Sequence, residues 1–197
     1  MTTYAHKLEA FKLDTNTPVY LLTSGIPSML KLDDPAIKAM TDLQQVKAIT
    51  VSPDSSIEFA MELMQHAGIR MLVVIDQSGM LAGLITARDI TGEKPLRILT
   101  QDRVRREEIL VRQIMTPRDQ LNPFNFRDVE HASVRDVIVQ LRKAGRQHAI
   151  VLEAQEKGAG YFVRGIFSIT QIGRHLGMDI PVDGLVQNFA DFEKLIA

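Results

Sequence analysis

Residues 56–75 read SIEFAMELMQHAGIRMLVVI, and residues 133–152, 77 positions further on, read SVRDVIVQLRKAGRQHAIVL. Four of the twenty aligned pairs are identical, and the apolar pattern agrees much better than the identities do. In each copy apolar residues recur at i, i+3, i+4 and i+7, which predicts a helix with one buried face. An Ala-Gly pair then predicts the end of the helix, and a β-branched run predicts a buried strand. We infer that the chain contains an internal duplication.

The duplication extends beyond these two stretches. Each copy continues through a predicted hairpin into a related segment, which is Gly83–Asp89 in the first copy and Gly165–Gln171 in the second. The second hairpin is five residues longer, an insertion that its glycines accommodate. Upstream, Met40-Thr41 is matched by Met115-Thr116. An opening strand is predicted at 46–51, whereas its counterpart at 121–126 contains a proline and is less clear.

This order of elements predicts an α/β (α+β) fold in which each copy runs β-α-β-β-α. A charged stretch at 101–113 predicts a surface helix that leads into the second copy. Near the C-terminus, a helical stripe of apolar residues has a net acidic opposite face, which favours a packing or dimer helix over a membrane-surface helix. The predicted organisation is an N-terminal extension at 1–38, a first domain at 39–92, a linker helix at 93–112, a second domain at 113–177, and a C-terminal amphipathic helix at 178–197.

The composition excludes several classes of function. The 197 residues have a net charge of −1 and contain no cysteine, so disulfides and thiolate metal sites are absent and a broad basic surface for nucleic acid is not expected. No apolar run approaches the ~20 residues of a membrane span, and the first residues lack the pattern of a secretory signal. We therefore expect a cytoplasmic protein without membrane association. The absence of a Walker loop, a nucleophile elbow and a zinc-binding helix motif favours a protein that is not an enzyme and has no metal site.

Over about residues 39–177 the arrangement resembles the CBS-domain pair, a family named after cystathionine β-synthase. The resemblance depends on the duplicated unit, the Met-Thr before each copy, and the motif Gly-x-x-Thr/Ser-x-x-Asp after the third strand, here Gly83–Asp89. It implies tandem, pseudo-symmetric domains that pack sheet to sheet and enclose two clefts. It also implies an adenine nucleotide as ligand (AMP, ADP or ATP, with S-adenosylmethionine ranked below them), no catalytic cofactor, a homodimer, and a regulatory function that relays ligand occupancy to an unidentified protein partner.

In the first cleft we expect the Thr86 hydroxyl to face the ligand, the Arg88 guanidinium to bind phosphate, and the Asp89 carboxylate to accept from the ribose hydroxyls. The resemblance adds further positions. It implies adenine contacts for Thr50 and Val51 and phosphate contacts for Arg70, with Arg146 and His148 approaching from the second copy.

The second cleft has Ser168, Thr170 and Gln171 at the matching positions. Because a neutral amide binds a hydroxyl more weakly than a carboxylate does, we predict that the Asp89 cleft binds nucleotide better.

Two alternatives remain open at this point. Ser168-x-x-Gln171 is a capping box as written and Thr86-x-x-Asp89 is close to one, so helix capping would explain both motifs without a ligand, and His148 would be a satisfied buried imidazole. In that case the function would be a protein-interaction or dimerisation scaffold with vestigial ligand clefts, which Gln171 and the C-terminal amphipathic segment favour.

Overall fold

The computed structural model describes residues 29–102, 104–156, 160–178 and 180. The elements of the first half are, in chain order, β1 (Thr41–Asp42), β2 (Thr50–Val51), α1 (Ile57–Ala67), β3 (Met71–Ile75), β4 (Leu81–Thr86), α2 (Ala87–Thr91) and α3 (Glu93–Asp102). Those that follow are α4 (Val111–Ile114), β5 (Thr116–Pro117), β6 (Phe124–Asn125), α5 (Phe126–His131), α6 (Val134–Lys143), β7 (His148–Ala154), β8 (Tyr161–Ser168) and α7 (Ile169–Leu176). Short 3₁₀ turns lie at Ala36–Ala39, Arg106–Glu108 and Arg118–Gln120.

The duplicated helices α1 and α6 form as the sequence predicts. The hydroxyls of Ser56 and Ser133 each accept from the backbone N–H three residues on, which caps the helix start. Past the other end, Gly68 and Gly145 adopt φ values of 64° and 61°, the left-handed conformation that costs glycine little. The predicted apolar faces are buried, except that Met61 of α1 is only partly so.

The strands form two four-stranded sheets, in the orders β2-β3-β4-β5 and β1-β8-β7-β6. Each sheet therefore takes one edge strand from the segment that opens the other repeat. Strand β1 pairs antiparallel with β8, and β5 pairs antiparallel with β4. The two repeats are thus linked by a reciprocal exchange of their opening residues.

Glycines at equivalent positions of the two repeats leave space for the exchanged strands. Gly165 lies opposite Asp42, and Gly83 lies opposite Pro117. A Cβ atom at position 165 would overlap the side chain of Met40, and one at position 83 would overlap the carbonyl oxygen of Thr116. At Gly83 the backbone of the exchanged strand lies where a Cβ atom would be, whereas at Gly165 the Met40 side chain, next to the exchanged strand, lies there.

Three apolar clusters hold the molecule together. One lies beneath the helices of each repeat, and the third lies between the sheets, with Met71, Val73, Leu84 and Ile150 at its centre. This third cluster confirms the predicted packing of sheet against sheet. The exchanged segments also reach into the opposite repeat, because Ala36 and Ala39 belong to the cluster of the second repeat.

Two predictions about local structure are wrong. The opening strand is confined to Thr50–Val51, because the residues before it cross between the sheets instead of joining a ladder. The stretch at 101–113 is not one surface helix, since α3 ends at Asp102 and a 3₁₀ turn follows at Arg106–Glu108. Ile109 and Val111 are fully buried against the first repeat, and their burial directs the chain inward.

The uncertain opening strand of the second copy is present as Phe124–Asn125, paired in parallel with β7. Apart from Met178 and Ile180, the predicted C-terminal helix at 178–197 lies outside the described residues, and so does most of the predicted extension at 1–38. Within the part of the chain that is described, none of the helices combines the length and the apolar character that a membrane span requires.

The exchange predicts that the two motif glycines respond differently to substitution. Gly83→Ala places a methyl group against backbone, which cannot move aside, and we expect a loss of about 2–3 kcal/mol in the free energy of unfolding. Gly165→Ala meets the flexible side chain of Met40, and we expect a loss of about 1 kcal/mol or less. Urea unfolding of the two variants measures the difference. Equal losses would contradict the assignment of Gly83 to a backbone contact.

Candidate functional site

A cavity of about 310 Å³, which we call the central cavity, lies between the two repeats. Both repeats contribute to its wall, and so does the segment that crosses from one sheet to the other. Its lining residues are Thr41, Leu43, Val46, Lys47, Ala48, Ile49, Gly68, Ile69, Arg70, Met71, Val73, His148, Ile166, Ser168, Thr170, Gln171 and Arg174.

The crossing segment, residues 41–49, is held at both ends. At its start Thr41 and Asp42 pair with β8, and the Leu43 N–H donates to the Arg164 carbonyl oxygen at 3.0 Å. At its end the Ile49 carbonyl oxygen accepts from the Val73 N–H at 3.4 Å, next to the first sheet. The residues between these anchors bridge the sheets and form one wall of the cavity.

The second copy of the motif is open toward the central cavity. Ser168 precedes α7, but its hydroxyl forms no capping hydrogen bond, so the capping box predicted for Ser168 and Gln171 is wrong. Instead, the Thr41 hydroxyl donates to Oε1 of Gln171 at 3.2 Å. Among the described residues, none accepts from the Gln171 amide nitrogen in this structure. Ser168, Thr170 and Gln171 therefore present polar groups to the cavity without being closed onto their own helix.

The first copy of the motif is closed. The Thr86 hydroxyl accepts from the Asp89 N–H at 3.2 Å, and Oδ2 of Asp89 accepts from the Thr86 N–H at 3.0 Å and from its hydroxyl at 2.6 Å. The other carboxylate oxygen accepts from Nζ of Lys94 at 2.7 Å, and the same ammonium donates to the Ile114 carbonyl oxygen at 2.7 Å. Capping and an ion pair thus occupy both oxygens of the carboxylate that we expected to face a ligand.

A smaller group of predicted residues meets beside this closed motif. Thr86, Arg88 and Arg70 line a second cavity of about 310 Å³, together with Gln147 of the other repeat, but Asp89 is not among its lining residues. This cavity thus brings Thr86, Arg88 and Arg70 together, while the Asp89 carboxylate acts electrostatically on His148. The segment between β5 and β6 corresponds in the second repeat to residues 41–49, and it does not line this cavity either. It turns at Arg118–Gln120, and its Leu121 side chain packs into the cluster between the sheets.

The remaining predicted residues divide between the cavity and the core. Arg70 lines both cavities, and His148 lines the central cavity. Val51 is buried in the apolar cluster of the first repeat and Thr50 is exposed, and neither they nor Arg146 line a cavity described here. The adjacent residues Ala48 and Ile49 take the place in the cavity wall that we expected for Thr50 and Val51.

Three polar residues of the central cavity, Thr41, Lys47 and Arg174, are not among the site residues that the sequence predicts. Thr41 had a usable signal, since it belongs to the repeated Met-Thr, but its position depends on the exchange of strands between sheets. Lys47 and Arg174 had no signal, because an exposed lysine or arginine on one segment is not distinguishable from a solvated surface residue. Among the described residues there is no cluster of three or more acidic or histidine side chains suited to a metal ion.

The imidazole of His148 lies opposite Ser168 in the β7–β8 ladder and borders the cavity. Its burial and the positive charge of Arg70 lower the pKa of His148 to about 4, and the carboxylate of Asp89 opposes this shift. The side chain is therefore neutral at pH 7 and accepts or donates hydrogen bonds as an uncharged ring.

This lowered pKa predicts a pH-dependent stability. The unfolded chain binds a proton at His148 near pH 6.5 and the folded chain only near pH 4, so the free energy of unfolding falls as the pH falls through this window. We expect the titration of His148 to lower the free energy of unfolding by about 3 kcal/mol when the pH is below this window, and to have no effect on it above pH 6.5. Urea unfolding from pH 4 to 7.5 measures it, with His148→Gln as the control that lacks this titration. An identical pH slope in the two proteins would contradict the burial of His148.

Comparisons with known proteins agree with this architecture. A protein-family model described as the CBS domain matches residues 37–95. A protein of Methanopyrus kandleri named Uncharacterized protein MK0525 is 36% identical over 59 residues, which is 30% of this chain and 30% of that protein. The chain thus matches less than a third of the length of this curated relative.

Solved structures share the fold. The crystal structure of a conserved protein from Pyrococcus horikoshii has a TM-score of 0.54 at 22% identity, covering 77% of this chain and 98% of that one. The crystal structure of a CBS domain, NE2398, has a TM-score of 0.50 at 22% identity, covering 67% of this chain and 91% of that one. The model of the CBS domain therefore matches residues 37–95, and the described residues share the fold of a solved CBS-domain structure.

Proposed function

We propose that this protein is a regulatory module that binds an adenine nucleotide in the central cavity and has no catalytic activity of its own. The observation that carries the proposal is the open second motif, in which Ser168, Thr170 and Gln171 face a cavity that both repeats line. The adenosine-containing ligand is implied by the resemblance of the sequence to CBS pairs.

The dimensions and the chemistry of the central cavity suit such a ligand. Its volume of about 310 Å³ lies at the lower end of the ~300–1,000 Å³ that is typical of small-molecule sites. Ile49 and Ile69 from the first repeat and Ile166 from the second give it apolar walls, against which a flat purine base would pack. The hydroxyls and the amide at one side supply the few placed polar groups that orient a ligand in an otherwise apolar site.

The geometry supports a ranking of the two clefts opposite to the one that we predicted from the sequence. A ligand in the Asp89 cleft would have to displace Lys94 and to compete with the capping hydrogen bonds of Thr86. A ligand in the central cavity meets a motif that is not closed on itself. We therefore place the primary site at Ser168, Thr170 and Gln171, with Arg70 and His148 in its wall.

Occupancy of this site would affect the relation between the repeats. The crossing segment forms part of the wall and is anchored to both sheets, so a bound ligand contacts parts of the protein that belong to different repeats. A ligand that binds one arrangement of the repeats better than another shifts the population toward that arrangement. We propose that a protein partner responds to this shift and that the module acts as a homodimer.

Nucleotide binding predicts a measurable stabilisation of the folded chain. AMP, ADP or ATP at millimolar concentration raises Tm by mass action, and isothermal titration gives the Kd and the number of sites. Ala48→Trp fills the central cavity and we expect it to weaken binding at least about tenfold, whereas Ala144→Trp, on the exposed end of α6, serves as the matched control. Urea unfolding checks that both variants are folded.

Asp89→Ala distinguishes the two clefts. We expect this variant to lose about 1–2 kcal/mol of stability with its capping box and ion pair, and to keep the wild-type affinity within about twofold. Loss of binding in Asp89→Ala, with normal binding in Ala48→Trp, would place the ligand in the Asp89 cleft instead. Absence of binding in the folded wild-type protein would overturn the proposal.

A second candidate function is the protein-interaction scaffold. Large apolar side chains are exposed on helices of the first repeat, with Phe59 of α1 at 52% and Leu96 of α3 at 58%. Such residues are candidates for a protein interface. A stable dimer that binds no nucleotide in either cleft would favour this function.

A further inference from the structure

We propose that the central cavity selects nucleoside polyphosphates over nucleoside monophosphates, and that Lys47, Arg70 and Arg174 are the residues that determine this selection. The inference rests on the proposed function and deepens it, because it names the chemical class of ligand within the adenine nucleotides.

The charges around the cavity all have one sign. Three of the lining side chains, Lys47, Arg70 and Arg174, are cationic, and none of the lining residues is an aspartate or a glutamate. The acidic groups nearest in the chain are engaged elsewhere, since Asp42 pairs with Arg164 and Asp89 pairs with Lys94. Within the described residues, no ion pair joins any of the three cations to a carboxylate. The lining of the cavity therefore carries net positive charge, and the one carboxylate that acts on His148 in its wall, Asp89, is paired with Lys94.

The three cations come from different parts of the fold. Lys47 lies on the crossing segment, Arg70 lies between α1 and β3, and Arg174 lies on α7. All three residues are exposed, whereas the neutral polar residues of the lining are half-buried, so the cations border the open mouth of the cavity. Cations that approach one mouth from three directions match an extended chain of phosphates, which offers separate groups to each of them. A single phosphate cannot serve three separated cations equally well.

The inner part of the cavity gives no charged contact. Thr41, Ser168, Thr170 and Gln171 are neutral, and His148 is an uncharged ring at pH 7. The base and the sugar would therefore meet apolar and neutral polar groups, while the phosphates would meet the cationic mouth. Arginine binds phosphate oxygens through a planar fork and lysine binds them as a point charge, and both gain with each added anionic group. The positive sulfonium of S-adenosylmethionine meets repulsion at this mouth.

The experiment compares adenosine, AMP, ADP, ATP and tripolyphosphate by isothermal titration of the full chain. We expect the affinity to rise about tenfold from AMP to ATP and this difference to shrink as the salt concentration rises, because exposed charge pairs are screened. Lys47→Met and Arg174→Met remove the charge and keep an unbranched apolar side chain. We expect each variant to lose about fivefold or more in ATP affinity and less than about twofold in adenosine affinity.

Lys143→Met is the matched control, since Lys143 is an exposed lysine at the end of α6 and lines none of the cavities described here. It should leave all affinities unchanged. Equal affinities for AMP and ATP, or equal losses for adenosine and ATP in the charge-removal variants, would overturn the selection and leave the proposed function standing. Binding of tripolyphosphate without any binding of adenosine or AMP would support the anion site and overturn the adenine assignment. A folded wild-type protein that binds none of the five compounds would overturn both.

Discussion

The reciprocal exchange of opening strands is the constraint on which the rest of the structure depends. Each repeat lends two residues to the other sheet, and Gly83 and Gly165 make room for them where any Cβ atom would collide. Separation of the repeats would therefore unpair an edge strand of both sheets and expose the apolar cluster between them. The exchange also explains why a cavity exists at this place, since residues 41–49 must leave one sheet and reach the other. A segment that is stretched between two anchors forms a wall and leaves space behind it.

Among the differences between the two copies of the motif, the one between Asp89 and Gln171 removes a carboxylate. In the first copy the Asp89 carboxylate accepts from its own helix start and attracts Lys94, so the charge that would bind a ligand is neutralised within the protein. Among the described residues, the neutral Gln171 of the second copy pairs with no cation and accepts from the Thr41 hydroxyl. Replacement of a carboxylate by an amide lowers the strength of a single hydrogen bond. It also removes the charge that closes the site, and in this fold the second effect decides which motif remains open.

The same logic governs the electrostatics of the central cavity. Carboxylates near the crossing segment are used in structural pairs, such as Asp42 with Arg164, and this leaves the mouth of the cavity with cations alone. His148 lies beside Arg70 and stays neutral because burial and the like charge both disfavour its protonated form. The central cavity thus has polar groups at one side, apolar walls and a cationic mouth, which come from separate parts of the chain. Their combination, rather than any one residue, gives the cavity its preference for an anionic ligand.

The sequence by itself determined the duplication, the two amphipathic helices with their glycine ends, and the buried strands, because these follow from periodicity and backbone preference within about twenty residues. It also identified Arg70, His148, Ser168, Thr170 and Gln171 as polar residues near a cleft, all of which line the central cavity. Only the tertiary structure decided which segment joins which sheet. It also decided that Val51 is buried in the apolar cluster while Ile49 lines the cavity, and that Lys94 forms an ion pair with Asp89. These outcomes depend on contacts between residues that are distant in the sequence, or on several hydrogen-bond donors that compete for one carboxylate. Local pattern carries no information about such contacts, because the energies that settle them arise only when the two repeats are packed together.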